Sequence, residues 1–296
     1  MIKIMKHDMK KIAAIHDLSG YGRASLTVAI PILTHMGYQV CPLPTAILSA
    51  HSEYKDFRSL DLTDYMETFI EHWKELNLRF DAIYTGYLAS VKQMGIVSNF
   101  FDYFKNDNNF ILVDPVLGDH GALYSSMTPD MIEGMRLLCS KAKVITPNLT
   151  EAAFLLDQDP RQEVSVETAV KWCKQLSELG PEHVIITSAP GSNTQNVATL
   201  AFNKLDGRTW RVLCDYVPAS YPGTGDAFAS VITGCMLNVD SLPEALDRAV
   251  HFINMGIKST FGYDHNPLDG MNQEKVLHYL NEPLPYYKYE LVTIEN

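Results

Sequence analysis

The sequence predicts an α/β fold, with a central, mostly parallel sheet flanked by helices on both faces and an antiparallel edge hairpin. Short apolar runs alternate with longer segments of helical periodicity along almost the whole chain, the pattern of successive βαβ units. Most of the apolar runs end in a polar or glycine-bearing segment, as parallel strands do where their C-terminal ends line a ligand crevice. One stretch, Asn196 to Cys214, breaks the alternation and reads as the hairpin.

Strands are predicted at Ile12–His16, Gln39–Pro42, Ala82–Tyr84, Phe110–Val113, Val144–Ile145 and Val184–Ile186, each a short run of mainly apolar residues. Helical spacing falls near residues 23–36, 63–76, 90–105, 128–140, 165–179, 225–237, 241–260 and 272–280. The hairpin sets Ala198-Thr199-Leu200-Ala201-Phe202 against Trp210-Arg211-Val212-Leu213, joined through the turn dipeptide Asp206-Gly207, and belongs at a sheet edge. No internal repeat, low-complexity tract or linker divides the chain. Residues 11–282 are therefore expected to form a single domain, with 1–10 and 283–296 as terminal extensions.

At 296 residues, 46% hydrophobic and 20% charged, the chain has the composition of a globular protein with a substantial core. Its formal net charge of −11 and the lack of a long Lys/Arg run argue against a nucleic-acid binder. The five cysteines, Cys41, Cys139, Cys173, Cys214 and Cys235, are dispersed and never spaced C-x-x-C, which favours reduced thiols over a disulfide framework or a zinc site. Lys3, Lys6, Lys10 and Lys11 precede an apolar run, Ile12 to Ile15, too short for a signal peptide, and no segment approaches membrane-span length. A cytoplasmic enzyme or binding protein, without nucleic-acid or membrane partners, is the expectation.

Chemistry concentrates in Tyr221-Pro222-Gly223-Thr224-Gly225-Asp226-Ala227-Phe228-Ala229, a glycine-rich turn running into a helix. The glycines permit a tight turn, and the helix adds unpaired N–H groups and a positive dipole end, which together suit an anion. Asp226 would repel a phosphate bound there, so its presence suggests a base that takes a proton from a hydroxyl during phosphoryl transfer. An ordinary capped helix start is the competing reading. Asp114 and Asp119 bracket Pro115 and Gly118 directly after an apolar strand, which fits either a metal-bearing turn or an Asx-turn. Asn148 and Glu151 form an N-x-x-E pattern that also reads as a capping box, while Tyr87 and Ser52 could be a core aromatic and a loop hydroxyl. There is no G-x-x-x-x-G-K-[ST] loop and no protein-kinase His-Arg-Asp loop. Gly20-Tyr21-Gly22 lacks a third glycine, with Ser25 in its place, which speaks against a dinucleotide fold.

In combination, Asp114-Pro115-Val116-Leu117-Gly118-Asp119, Asn148-x-x-Glu151 and Gly223-Thr224-Gly225-Asp226 resemble the ribokinase superfamily of small-molecule kinases. Tyr84-Thr85-Gly86-Tyr87, Gly121-Ala122-Leu123-Tyr124, Ile145-Thr146-Pro147-Asn148 and Ile186-Thr187-Ser188 bring the resemblance closer to the pyridoxal kinases, over roughly residues 11 to 280. The resemblance implies a ribokinase-like fold and ATP-dependent phosphorylation of the 5′-hydroxymethyl group of pyridoxal, pyridoxamine or pyridoxine. It makes Asp226 the base and the backbone of Gly223, Thr224 and Gly225 the anion hole. Asp119 and Glu151 would orient Mg²⁺, partly through water, and Asp114, Thr146 and Thr187 match positions tied to a monovalent cation, K⁺ or Na⁺, and the ATP phosphates. Asn148 and Ser188 would lie with the triphosphate, while Asp17, Ser52 and Tyr87 match ring-binding positions. It also implies a homodimer.

Two departures bear on specificity. Ser52-Glu53 stands where the family usually has Thr-Gly, and the first loop is shorter than in many pyridoxal kinases, with strand alignment putting Asp17 where a serine usually meets the pyridine ring. A carboxylate there favours a protonated ring nitrogen or the amine of pyridoxamine. A hydroxymethylpyrimidine kinase is the alternative of the same class, although its usual Ser-Gly-Gly-Ala-Gly loop is only loosely echoed by Ser19-Gly20-Tyr21-Gly22. A catalytically silent B6-binding homologue is the alternative of another class, opposed by the presence of Asp226 and both glycines.

Overall fold

A computed structural model of the chain describes residues 9–284 and 286–293. Of the expected terminal extensions, residues 1–8, 285 and 294–296 lie outside the described residues. The chain begins with β1 (Lys11–Ser19), α1 (Leu26–His35), β2 (Gln39–Leu48), β3 (Ser59–Asp61), α2 (Thr63–Glu75), β4 (Ala82–Thr85) and α3 (Val91–Phe104). It continues through β5 (Phe110–Val113), β6 (Gly118–Asp119), β7 (Ala122–Leu123), α4 (Pro129–Lys141), β8 (Val144–Ile145), α5 (Leu149–Leu155) and α6 (Val166–Glu178). The last part holds β9 (His183–Pro190), β10 (Asn196–Asn203), β11 (Thr209–Asp215), α7 (Thr224–Leu237), α8 (Leu242–Phe261) and β12 (Glu290–Leu291).

Ten strands form one sheet in the order β12-β11-β10-β9-β8-β5-β4-β1-β2-β3. The six strands from β9 to β2 are parallel to their neighbours, whereas β3 and the β10–β12 edge run antiparallel. The sheet is buried on both faces because successive strand residues point to opposite sides. Ile15, Ile83, Val113, Ile145 and Ile186 face a core shared with α2 to α6. Ile12, Tyr84, Leu112, Val144 and Ile185 face the second core, under α1, α7 and α8. This is the expected α/β architecture with its antiparallel edge hairpin. No helix among the described residues is long and apolar enough to cross a membrane.

Three differences from the sequence expectation have physical causes. β2 runs on to Leu48 through Pro42 and Pro44, because only its β1 side is paired there and β3 joins later, at Ala46 to Leu48. An edge tolerates the missing N–H. Residues 272–280, expected as a helix, instead form two 3₁₀ turns, Gln273–Lys275 and Leu277–Asn281, with Val276 between them and Leu280 in the second dipping into the core. Their four-residue spacing mimics a helix face, but Gln273 is buried too and donates its amide to the Thr27 carbonyl at 3.2 Å. The elements β3, β6, β7 and β12 are two or three residues long and leave little periodic signal.

Candidate active site

The chain moves outward from β1 to β2 and β3, then returns to place β4 on the other side of β1, so the strand order reverses between β1 and β4. Ligands of open α/β sheets bind outside the C-terminal strand ends at such a switch point. A cavity of about 270 Å³ lies there, and every site residue expected from the sequence lines it. Asp17 follows from β1, Ser52 from the loop after β2, Tyr87 from the loop after β4, and Asp114 and Asp119 from the segment after β5. Thr146, Asn148 and Glu151 come from the β8–α5 junction, Thr187 and Ser188 from β9, and Gly223, Thr224, Gly225 and Asp226 from the start of α7. An adjoining groove of about 1210 Å³ shares Asp119, Asn148, Thr187, Ser188, Thr224 and Gly225, and its farther wall includes Val217, Pro218, Val250, Ile253 and Ile257.

The start of α7 is shaped by Gly223, which caps the helix at φ 78°. A Cβ there would lie 2.2 Å from the Arg23 carbonyl oxygen, so no other residue fits without moving backbone. The N–H groups of Thr224, Gly225 and Asp226 find no acceptor among the described residues, leaving the positive end of a 14-residue helix facing the cavity. Asp226 Oδ2 accepts the Ser25 backbone N–H at 2.7 Å, and Oδ1 lies 3.8 Å from Nδ1 of His16. Burial pushes the Asp226 carboxyl above the usual carboxylate range, opposed by the Ser25 N–H and by His51. A carboxyl held by one donor at the head of a helix and raised in basicity is equipped to accept a proton.

Beside it lies a second group of acids. Asp114 is buried and accepts the Thr146 hydroxyl at 2.9 Å, and burial with the nearby Asp226 charge pushes its carboxyl up to about 7. Glu151 is also buried, and its carboxyl is raised by burial and then by Asp114. Its two oxygens accept the N–H groups of Asn148 at 2.8 Å and Leu117 at 3.2 Å, while Asn148 Oδ1 accepts the Glu151 N–H at 2.9 Å. The capping box is thus present, and the same two residues line the cavity. Asn148 further donates to the Gly118 carbonyl at 2.9 Å, tying α5 to the turn that carries Asp119. Asp119 is exposed at the rim, with one oxygen accepting the His120 N–H at 2.7 Å. Among the described residues, no group of three or more His, Cys, Asp or Glu side chains could by itself hold a metal ion.

At the other end, Asp17 is buried, accepts the Ser19 hydroxyl at 3.2 Å, and is pushed up chiefly by burial. Tyr87 is half-buried, and Ser52 and Glu53 are exposed on their loop. That loop is clasped from outside, since Nε2 of His51 meets the Leu268 carbonyl at 2.6 Å and the Tyr54 hydroxyl donates to Asp269 at 2.5 Å. Six carboxylates, Asp17, Glu53, Asp114, Asp119, Glu151 and Asp226, line the cavity, and among the described residues no Lys or Arg does. The sequence did not single out His16, inside a strand, or the Ser25 N–H, which any residue could supply. The one signal for His16 was a polar residue ending an apolar run.

Comparison with known proteins agrees with this geometry. The profile of the phosphomethylpyrimidine kinase family matches residues 11–269. A Bacteroides thetaiotaomicron protein provisionally described as a phosphomethylpyrimidine kinase, solved in an orthorhombic form with pyridoxal, is 52% identical, with a TM-score of 0.93 over 96% of this chain and 100% of its own. Pyridoxal kinase from Lactobacillus plantarum is 30% identical, with a TM-score of 0.83 over 92% of this chain and 96% of its own. Pyridoxal kinase from Arabidopsis thaliana is 27% identical across 84% of this chain and 83% of its own length. With a ribokinase-like sheet, an open helix N-terminus at its switch point and a family profile spanning nearly all of that architecture, the chain belongs to the phosphomethylpyrimidine kinase family.

Proposed function

We propose that this ATP-dependent small-molecule kinase phosphorylates the 5′-hydroxymethyl group of B6 vitamers, and that Asp226 is the base. The observation that carries the reading is the convergence of Asp226, with its raised carboxyl, and three unacceptored N–H groups at the head of α7, on the cavity that also holds Asp17 and Tyr87. The relative solved with pyridoxal supports the choice of substrate. In the transfer, the vitamer hydroxyl oxygen attacks the γ-phosphorus of ATP, its proton passes to Asp226, and the bond to the ADP oxygen breaks. The N–H groups of Thr224 and Gly225 stabilise the charge on the moving phosphoryl group, with Gly223 setting the turn that exposes them. Asn148 and Ser188 bind the triphosphate, and the apolar wall of the adjoining groove takes the base. Tyr87 offers a flat apolar face to the pyridine ring, Ser52 a hydroxyl, and Asp17 an acceptor for a cationic group.

The cavity's donor set fits a bound cation. Asp114 and Glu151 are buried carboxyls, Asp114 raised by burial and the Asp226 charge and Glu151 by burial and Asp114, and among the described residues no Lys or Arg lines the cavity, Arg161 lining only the adjoining groove. Asp119 and Glu151 would hold Mg²⁺, largely through water because Glu151 already accepts two backbone N–H groups. Mg²⁺, when bound, supplies charge neutralisation on the phosphates. Asp114, Thr146 and Thr187 would serve a monovalent cation, K⁺ or Na⁺. Residues 11–282 act in this reading as one catalytic domain, working as a cytoplasmic homodimer.

Replacing Asp226 with Asn tests the assignment. The variant is expected to lose roughly 10²–10⁴-fold in kcat with vitamer affinity retained. Near-wild-type turnover by a folded variant would remove Asp226 from the chemistry.

A further inference from the structure

Behind Asp226 lies a side chain that the mechanism above does not use. His16 is completely buried in β1 and does not line the cavity. Neither ring nitrogen has a hydrogen-bond partner among the described residues. Unpaired polar atoms in a core are disfavoured, so their retention calls for a reason. The group this ring faces is the Asp226 carboxylate, with Nδ1 3.8 Å from Oδ1, a separation longer than a hydrogen bond. The ring is clamped in place. Tyr84 meets it edge-on, with centroids 4.9 Å apart and planes at 66°, and Gly86 leaves it room, since a Cβ there would lie 1.7 Å from its Cε1. Tyr84 also reaches toward the same residue, its hydroxyl 3.4 Å from the Asp226 carbonyl oxygen.

Burial holds the His16 imidazole down to about 4 although Asp17 pulls the other way, so the ring is neutral near pH 7. In the tautomer protonated at Nδ1, the ring offers the side of Oδ1 a neutral N–H dipole rather than a formal positive charge. A full cation there would stabilise the carboxylate and make it a weaker base, whereas a neutral dipole orients it at little loss of basicity.

We infer that His16 is a positioning residue: its clamped, neutral ring and the Ser25 N–H fix the two Asp226 oxygens from opposite ends, so the carboxylate meets the substrate hydroxyl in one orientation. This inference rests on Asp226 being the base. A misplaced base loses rate without losing binding. His16 should therefore act on kcat and only through Asp226, while a packing residue would act through stability and independently of it.

The test is a double-mutant comparison on the full-length protein. His16→Phe keeps an aromatic ring against Tyr84 and removes both nitrogens, and His16→Asn keeps an amide nitrogen close to where Nδ1 stands. Each is made in the wild-type and Asp226→Asn backgrounds, with kcat, both KM values and thermal unfolding measured. In the wild-type background His16→Phe is expected to lower kcat by about 10–100-fold with both KM values within about threefold, and His16→Asn to recover part of the loss. In the Asp226→Asn background neither substitution should lower the residual rate further. Unchanged kcat in His16→Phe, or equal losses in both backgrounds, would overturn the inference. If His16→Phe does not fold, His16→Asn decides alone, since a loss confined to the background with Asp226 supports the inference and any other pattern overturns it. An Asp226→Asn protein that turns over normally would overturn the base assignment instead, so the two failures are distinguishable.

Discussion

Asp17 and Asp114 are the residues whose surroundings say most about what the site requires. Asp17 is a buried carboxyl at the end of β1, and with Glu53 on the loop after β2 it adds acidic groups to the part of the cavity proposed for the ring. Replacing Asp17 with Ser removes the charge and is expected to shift the ratio of kcat/KM for pyridoxamine to that for pyridoxal toward pyridoxal, by about tenfold, mainly through KM. An unchanged ratio would take Asp17 out of substrate recognition. Asp114 has a folded value of about 7 against an ordinary 3.8. A raised carboxyl contributes stability below about pH 4 that is lost as pH rises through about 7, because the folded state holds its proton longer. The protein without bound cations should therefore be less stable at pH 8 than at pH 5.5, and the monovalent cation assigned to Asp114, K⁺ or Na⁺, should help more at pH 8. Asp114→Asn should add about 1–3 kcal/mol to metal-free stability at pH 8 while lowering turnover. Thermal unfolding at the two pH values checks this, and a variant less stable than wild type at pH 8 would contradict it.

At the scale of elements, the role proposed for the N-terminus of α7 lies in backbone, and backbone is what a short motif can reveal. Gly223 at φ 78°, pressed against the Arg23 carbonyl, explains why the turn needs glycine there. Gly223→Ala is expected to cost about 1–3 kcal/mol of stability and to weaken nucleotide binding more than vitamer binding. Normal nucleotide affinity in a folded Gly223→Ala protein, measured by calorimetric titration, would show that the turn is not an anion site. The parallel strands were legible because burial on both faces makes them apolar runs, and the Gly223 turn because its φ demands glycine. The extent of β2 was not, since Pro42 and Pro44 read as breakers until the one-sided pairing of that strand is known. Nor were the 3₁₀ turns at 273–281, whose spacing matched a helix while the packing of Gln273 bent the chain otherwise. His16 escaped notice for a related reason: its importance lies in facing Asp226 across 210 residues of sequence, which only the fold brings together.

The whole molecule carries a net charge of −11 and draws six carboxylates to one crevice, whose cavity no Lys or Arg among the described residues lines. Such a cavity would repel a bare triphosphate and favour one accompanied by cations, in keeping with the Mg²⁺ proposed above. The switch point between β1 and β4 carries the cavity at the ends of the first strands and the adjoining groove beside β9 and α8, with the start of α7 lining both. The substrate assignment is tested most directly by ATP consumption with pyridoxal, pyridoxamine, pyridoxine and hydroxymethylpyrimidine, each assayed with Mg²⁺ at saturating nucleotide. The expected result is a kcat/KM for at least one B6 vitamer about tenfold or more above that for hydroxymethylpyrimidine, with pyridoxamine ahead of pyridoxal. Turnover of hydroxymethylpyrimidine alone, or of none of the four, would contradict it.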